Sequence, residues 1–154
     1  MLEFKLIYGI DGYEKARHVR ETVFMSEQGF SFDKDDKDEI SWHVIAYDKD
    51  RPIAAARLYP KADGVFAIGR VAVVKDCRGQ YIGDTLMRIL EDKAVNLMGH
   101  TVDIHANDIA AGFYEKQGYE RTGECDSVDG VGHCMMRKDL TKPYKRCDAC
   151  KNGL

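Results

Sequence analysis

Apolar and polar positions alternate along the first eight residues. Leu2, Phe4, Leu6 and Tyr8 fall on one side and Glu3, Lys5 and Ile7 on the other, the two-residue period of a strand. The period then lengthens. Ala16, Val19, Val23 and Phe24 recur at helical spacing as far as Gly29, and Asp11 with Glu14 makes a capping-box-like start. Residues 29–40, around "FSFDKDDKDEIS", are polar, acidic and aperiodic and read as a loop. In "WHVIAYDKDRPIAAARLYP" two apolar runs flank Asp48-Lys49-Asp50, the pattern of a hairpin. "GVFAIGRVAVV" is nearly continuous in apolar residues, as expected of a strand covered on both faces. A turn with two glycines follows. Ile82, Leu86, Ile89, Leu90, Ala94 and Leu97 then share one helical face that stops at Gly99. "TVDIHA" reads as a strand, "NDIAAGFYEKQG" as a short helix ending at Gly118, and "YERTGECDSVDGVGHCMMRK" as two strands joined through Asp129-Gly130. The order predicts an α/β layer architecture with a mixed sheet.

Composition narrows the classes. The 154 residues fit one domain with one core, and 44% hydrophobic with 32% charged residues is a globular balance. A net charge of −3 supplies no basic field for nucleic acid, so no nucleic-acid partner is expected. Glu3 and Lys5 interrupt the N-terminal apolar stretch, and no run could span a bilayer, so the expectation is a cytoplasmic protein with no membrane partner. The five cysteines, Cys77, Cys125, Cys134, Cys147 and Cys150, are odd in number and scattered, and most are expected to be reduced. Cys147-x-x-Cys150 lacks a second ligand pair for zinc and no EF-hand spacing exists, so no metal is expected.

The chemistry concentrates in "GRVAVVKDCRGQYIGDTLM". Where a strand turns into a helix, the first helical N–H groups lack intrahelical partners and can hold a phosphate. Neither G-x-x-x-x-G-K-[ST] nor G-x-G-x-x-G is present, and spacing alone leaves a plain corner equally open. Arg78-Gly79-Gln80-Tyr81-Ile82-Gly83, however, resembles motif A of the GNAT superfamily of N-acetyltransferases, [RQ]-x-x-G-x-[GA]. "HANDIAAGFYEKQGY" resembles the family's second cofactor segment through Asn107, Phe113, Tyr114 and Gly118-Tyr119. "RETVFMSEQGF", "IGRVAV" and "DGVGHCMMRK" are similar to the ElaA-like branch, with the likeness covering about residues 17–138. Tyr81 departs from the pattern by replacing the middle glycine of motif A.

The resemblance implies a single-domain GNAT-like fold over residues 1–140, followed by a tail, 141–154. It implies a mixed, mostly antiparallel sheet flanked by helices, with a splayed central strand pair. Acetyl-CoA is then the co-substrate, held by backbone of Val71, Ala72 and Val73, by Arg78 to Gly83 with Asp84 next in the helix, and by Asn107, Phe113 and Tyr114. The implied activity is direct acetyl transfer to a primary amine of a small molecule or peptide. A non-catalytic CoA-binding regulatory module is the alternative. Tyr114 corresponds to the general acid for the departing thiolate, although a Tyr after Phe in a short helix is also ordinary core. Glu27, His43 and His133 are open candidates for the base, each with a plain structural reading as well, and a proton route to bulk solvent needs none of them. Arg57 and Arg70 read as ion-pair members, and the acidic loop as a solvated surface. The acceptor amine is not legible, and the oligomeric state stays open, a homodimer included.

Overall fold

In the computed structural model, which describes residues 1–31 and 33–142, seven strands form one sheet in the order β1-β2-β3-β4-β5-β7-β6. β1 (Leu2–Tyr8) runs straight into α1 (Gly9–Arg20), because Gly9 takes a φ of 75° at the corner. β2 (Trp42–Asp48), β3 (Arg51–Ala62) and β4 (Val65–Val73) follow as an antiparallel meander. α2 (Ile82–Asn96) crosses to β5 (Thr101–Asn107), which pairs parallel to β4. α3 (Ala111–Lys116) leads to the closing hairpin of β6 (Glu120–Val128) and β7 (Val131–Asp139). This is the α/β order that the hydrophobic periods predict. The Cys147-x-x-Cys150 pair lies outside the described residues.

Register shows which face each helix covers. His43, Arg57 and Gly69 are cross-strand partners on one face, and His43 packs so closely on Gly12 of α1 that a Cβ there would come within 2.7 Å of the ring. Trp42, one residue earlier, points the other way, and Lys93 of α2 sits 3.9 Å from its ring centroid. Helices α1 and α2 therefore cover opposite faces, and Val19, Val44, Leu58, Leu86, Leu90 and Ile104 belong to the continuous core they enclose.

The central pair opens partway along. β4 and β5 are in register only from Val65↔Thr101 to Ile68↔Ile104, and past that point the two strands pair no further with each other. The opening coincides with a bulge. On β3, Ala56 faces both Arg70 and Val71, between the pairs Arg57↔Gly69 and Ala55↔Ala72, and Arg70 is held at a φ of 51°. An extra residue bends the strand that carries it, and it falls just past Ile68, where the pairing with β5 ends.

Four expectations are corrected. The first helix starts at Gly9 with no side-chain cap, so Asp11 and Glu14 form no capping box, and the turns widen over Glu21–Glu27, where Gln28 N–H reaches back to Val23 O at 3.0 Å. Residues 36–40 are a short 3₁₀ helix capped by Asp35, not loop. The acidic segment is solvated only in part: Asp36 and Glu39 are exposed, but Asp33 and Asp38 are 6% and 0% exposed. Arg20 donates to Asp33 at 2.7 Å and to Asp38 at 2.6 Å, Arg57 donates to Asp35 and Asp38, and Arg70 pairs with Asp33 and Asp35. Buried charges survive only when paired in this way, and here three arginines meet three aspartates. Finally, Cys125 and Cys134 are joined in a disulfide across β6 and β7, while Cys77 is a buried free thiol.

Candidate active site

The splay creates a cleft of ≈1040 Å³. One wall is β4 from Ile68 to Val73, the other is His105, Ala106 and Asn107 of β5. Because the pairing has stopped, the backbone of Val71, Ala72 and Val73 is not paired with β5, and apart from Val73 O, which accepts from Arg78 Nε, its groups on that side are left for something other than a strand.

The cleft runs to the N-terminus of α2. No side chain among the described residues caps that helix, so the N–H groups of its first turn, including Ile82, Gly83 and Asp84, have no partner among them, and the positive end of the helix dipole lies behind them. Gly83 is small for a packing reason as well: a Cβ there would lie 3.2 Å from Phe113 Cζ and 4.0 Å from Val73 Cγ2. Gly79 takes a φ of 81°. Arg78, Gly79, Tyr81, Ile82, Gly83 and Asp84 all line the cleft, whereas Gln80 of the same motif does not. Tyr81 adopts φ 61°, ψ 19°, the left-handed conformation that favours glycine, and its side chain projects into solvent.

Arg78 is engaged. Its Nε donates to Val73 O at 2.8 Å, and its two terminal nitrogens grip Glu27 at 2.6 and 2.7 Å. The Arg78 hydrogen bond holds the Glu27 carboxyl below its ordinary range. Glu27 thus reaches the cleft as an already neutralised carboxylate. His43 does not reach it. The ring is 0% exposed, Nε2 lies 3.0 Å from Asp38 O, and burial lowers its pKa. With no path to a substrate, His43 is withdrawn from the base candidates. His133 does line the cleft, part-buried, with Nδ1 2.9 Å from Val131 O.

Tyr114 stands on α3 with its ring edge-on to Phe113 and Tyr119, centroids 5.2 and 6.2 Å away. It is 7% exposed, and its hydroxyl has no hydrogen-bond partner among the described residues. Burial drives its pKa up, so the phenol keeps its proton. Asn107 accepts from Ala110 N–H at 2.8 Å, closing the turn into α3 while it lines the cleft. Arg57 is wholly structural, but Arg70 lines the cleft even though Asp33 and Asp35 hold it. His105 and Asp126 drew no role from the sequence. Their signal was position alone: His105 stands two residues before Asn107, and Asp126 lies on the strand that pairs with His133.

Comparison with known proteins agrees with this geometry. An acetyltransferase (GNAT) domain family model matches residues 13–140. The chain is 33% identical over 127 residues to the uncharacterized N-acetyltransferase YjcF of Bacillus subtilis, covering 80% of this chain and 90% of that protein. Crystal structures with the same fold include an acyl-CoA N-acyltransferase from Pseudomonas aeruginosa (25% identity, TM-score 0.78, 90% of this chain and 99% of that one). ElaA from Escherichia coli matches at 24% identity and a TM-score of 0.79, over 90% of this chain and 100% of that one. A splayed β4–β5 pair that opens onto an uncapped helix, within a chain of this likeness, places the protein in the GNAT acetyltransferase family, as an acyltransferase.

Proposed function

We propose that the protein transfers an acetyl group from acetyl-CoA to a primary amine by direct attack. The observation that carries this reading is one cleft shared by three features: unpaired β4 backbone, the uncapped first turn of α2, and the unpartnered hydroxyl of Tyr114. Acetyl-CoA supplies a thioester, a carbonyl activated toward amines with a leaving thiol of pKa ~8.5.

The residues divide the work. Val71, Ala72 and Val73 offer N–H and C=O groups to the peptide-like pantetheine as an added strand, with an N–H for the acetyl oxygen. Arg78, Gly79 and Tyr81 to Asp84 meet the pyrophosphate chiefly through backbone N–H, and Asn107 and Phe113 line the same space. Tyr114 donates its hydroxyl hydrogen to the departing sulfur and regains one from the attacking nitrogen as the amide forms, a donor that burial keeps protonated. Of the base candidates, Glu27 is tied to Arg78 and is a weak base, His43 is sealed, and His133 keeps one ring nitrogen free. His133 therefore receives the amine proton.

A thermal-shift titration with acetyl-CoA, followed by thiol release with spermidine, glucosamine, kanamycin and a dipeptide N-terminus, tests the reading. Stabilisation by acetyl-CoA and thiol release with at least one amine is expected; no shift at saturating acetyl-CoA refutes it. The second reading, a non-catalytic CoA-binding module, draws on Tyr81 at the motif glycine position and on Arg78 being already engaged. It predicts a thermal shift without thiol release.

A further inference from the structure

The fold brings His105 and Asp126 to His133 at the wall of the cleft. Register sets Asn107 of β5, His133 of β7 and Asp126 of β6 side by side across three strands, with His105 two residues back on the same face. The two imidazoles stack, their centroids 4.8 Å apart and their planes 30° apart. His105 Nε2 lies 2.6 Å from Asp126 Oδ1. An ionised carboxylate only accepts, so this nitrogen carries a hydrogen. His133 Nδ1 faces a carbonyl, Val131 O, so it donates, and Nε2 keeps its lone pair with no partner among the described residues. The Cys125–Cys134 disulfide sits one residue before Asp126 and one after His133, pinning the exposed edge strand β6 to β7 at this point.

We propose that His105 and Asp126 are positioning residues for His133 in deprotonation of the acceptor amine: His105 braces the His133 ring by stacking, and the Asp126 carboxylate offsets the positive charge that the pair acquires. This rests on the transferase reading. In the step, an N–H bond of the acceptor ammonium breaks, its electron pair stays on nitrogen for the attack, and the proton passes to His133 Nε2. Return of that proton to solvent resets the pair, since the His105 side is open to water. Other charged groups share the cleft: Asp129 on the hairpin turn, Lys116 on α3, and Glu27, Asp33 and Arg70 across it. Glu27 is committed to Arg78, and Asp33 to Arg20 and Arg70. Asp126 is the one carboxylate among the described residues that bonds to either ring.

The test compares wild type with Asp126→Asn, Asp126→Glu and His105→Phe, using acetyl-CoA and the best of the four probe amines, with a melting curve on each variant. Asp126→Asn and His105→Phe are expected to lower kcat at least about tenfold while KM for acetyl-CoA stays within about twofold. Asp126→Glu restores most of the lost turnover. A purely structural role would lower the melting temperature and change kcat and KM for acetyl-CoA together. Folded Asp126→Asn and His105→Phe with wild-type kcat would overturn the inference while leaving the transferase reading intact. No thermal shift and no thiol release in the wild type would overturn both.

Discussion

Asp38 is a residue whose removal the structure makes costly. It is 0% exposed and accepts hydrogen bonds from Arg20 Nη1 at 2.6 Å, Arg20 Nη2 at 3.1 Å, Arg57 Nη1 at 2.9 Å and Asp35 N–H at 3.0 Å. Burial alone would raise its pKa, but the Arg20 hydrogen bonds and charge, the Asp35 N–H and the Arg57 charge outweigh it and hold the value at about 2, against 3.8. A carboxylate depressed on folding stabilises above its unfolded pKa, and that stability is lost as pH falls through the folded pKa. From 3.8 to about 2, the linked stabilisation at neutral pH is about 2.4 kcal/mol, of which about half is gone by pH 3. Asp38→Asn keeps the shape but leaves Arg20 and Arg57 short of one buried anion, a change that costs about 3–5 kcal/mol. Urea unfolding of both proteins from pH 7 to pH 3 reads this directly. The difference between them should be largest at pH 7 and shrink by about 1 kcal/mol at pH 3, as the wild type loses the linked stability that the variant never had. A difference below about 1 kcal/mol at pH 7, or one that stays constant with pH, would refute the assignment of a net-stabilising buried charge network.

Three further outcomes follow from the cleft. Tyr114→Phe should lower turnover by about tenfold to a thousandfold with acetyl-CoA affinity little changed; unaltered turnover under conditions where chemistry limits the rate would remove Tyr114 as the donor. Tyr81→Gly relieves a left-handed residue that costs roughly 1–2 kcal/mol, against a gain in unfolded-chain entropy of about 0.5–1 kcal/mol. Because the Tyr81 side chain is mostly in solvent, the variant should be about 0.5–1 kcal/mol more stable by urea unfolding, and a loss would mean that the ring packs usefully. Glu27→Gln frees Arg78 from its two-point ion pair, so calorimetry should find acetyl-CoA bound several-fold tighter. Weaker binding would instead show that Glu27 holds Arg78 in its binding posture.

The periods of the chain determined its elements. Alternation in residues 2–8 and the stripe from Ile82 to Leu97 are local properties, and local hydrogen bonding with one buried face suffices to realise them, so β1 and α2 stand where those patterns put them. Motif spacing carried as far as the residues around the cleft, because a strand, a glycine turn and a helix start lie together in sequence as they do in space. Partnership between distant segments was not legible. Asp33, Asp35 and Asp38 look as solvated as Asp36 and Glu39 beside them until Arg20, Arg57 and Arg70 arrive from α1, β3 and β4 to neutralise them. His43 looks as available as His133 until α1 lays Gly12 against its ring, and His105 and Asp126 gain their place only when β5, β7 and β6 come into register. The reason is physical: burial and charge pairing are sums over neighbours from the whole chain, and only the folded sheet decides which neighbours those are.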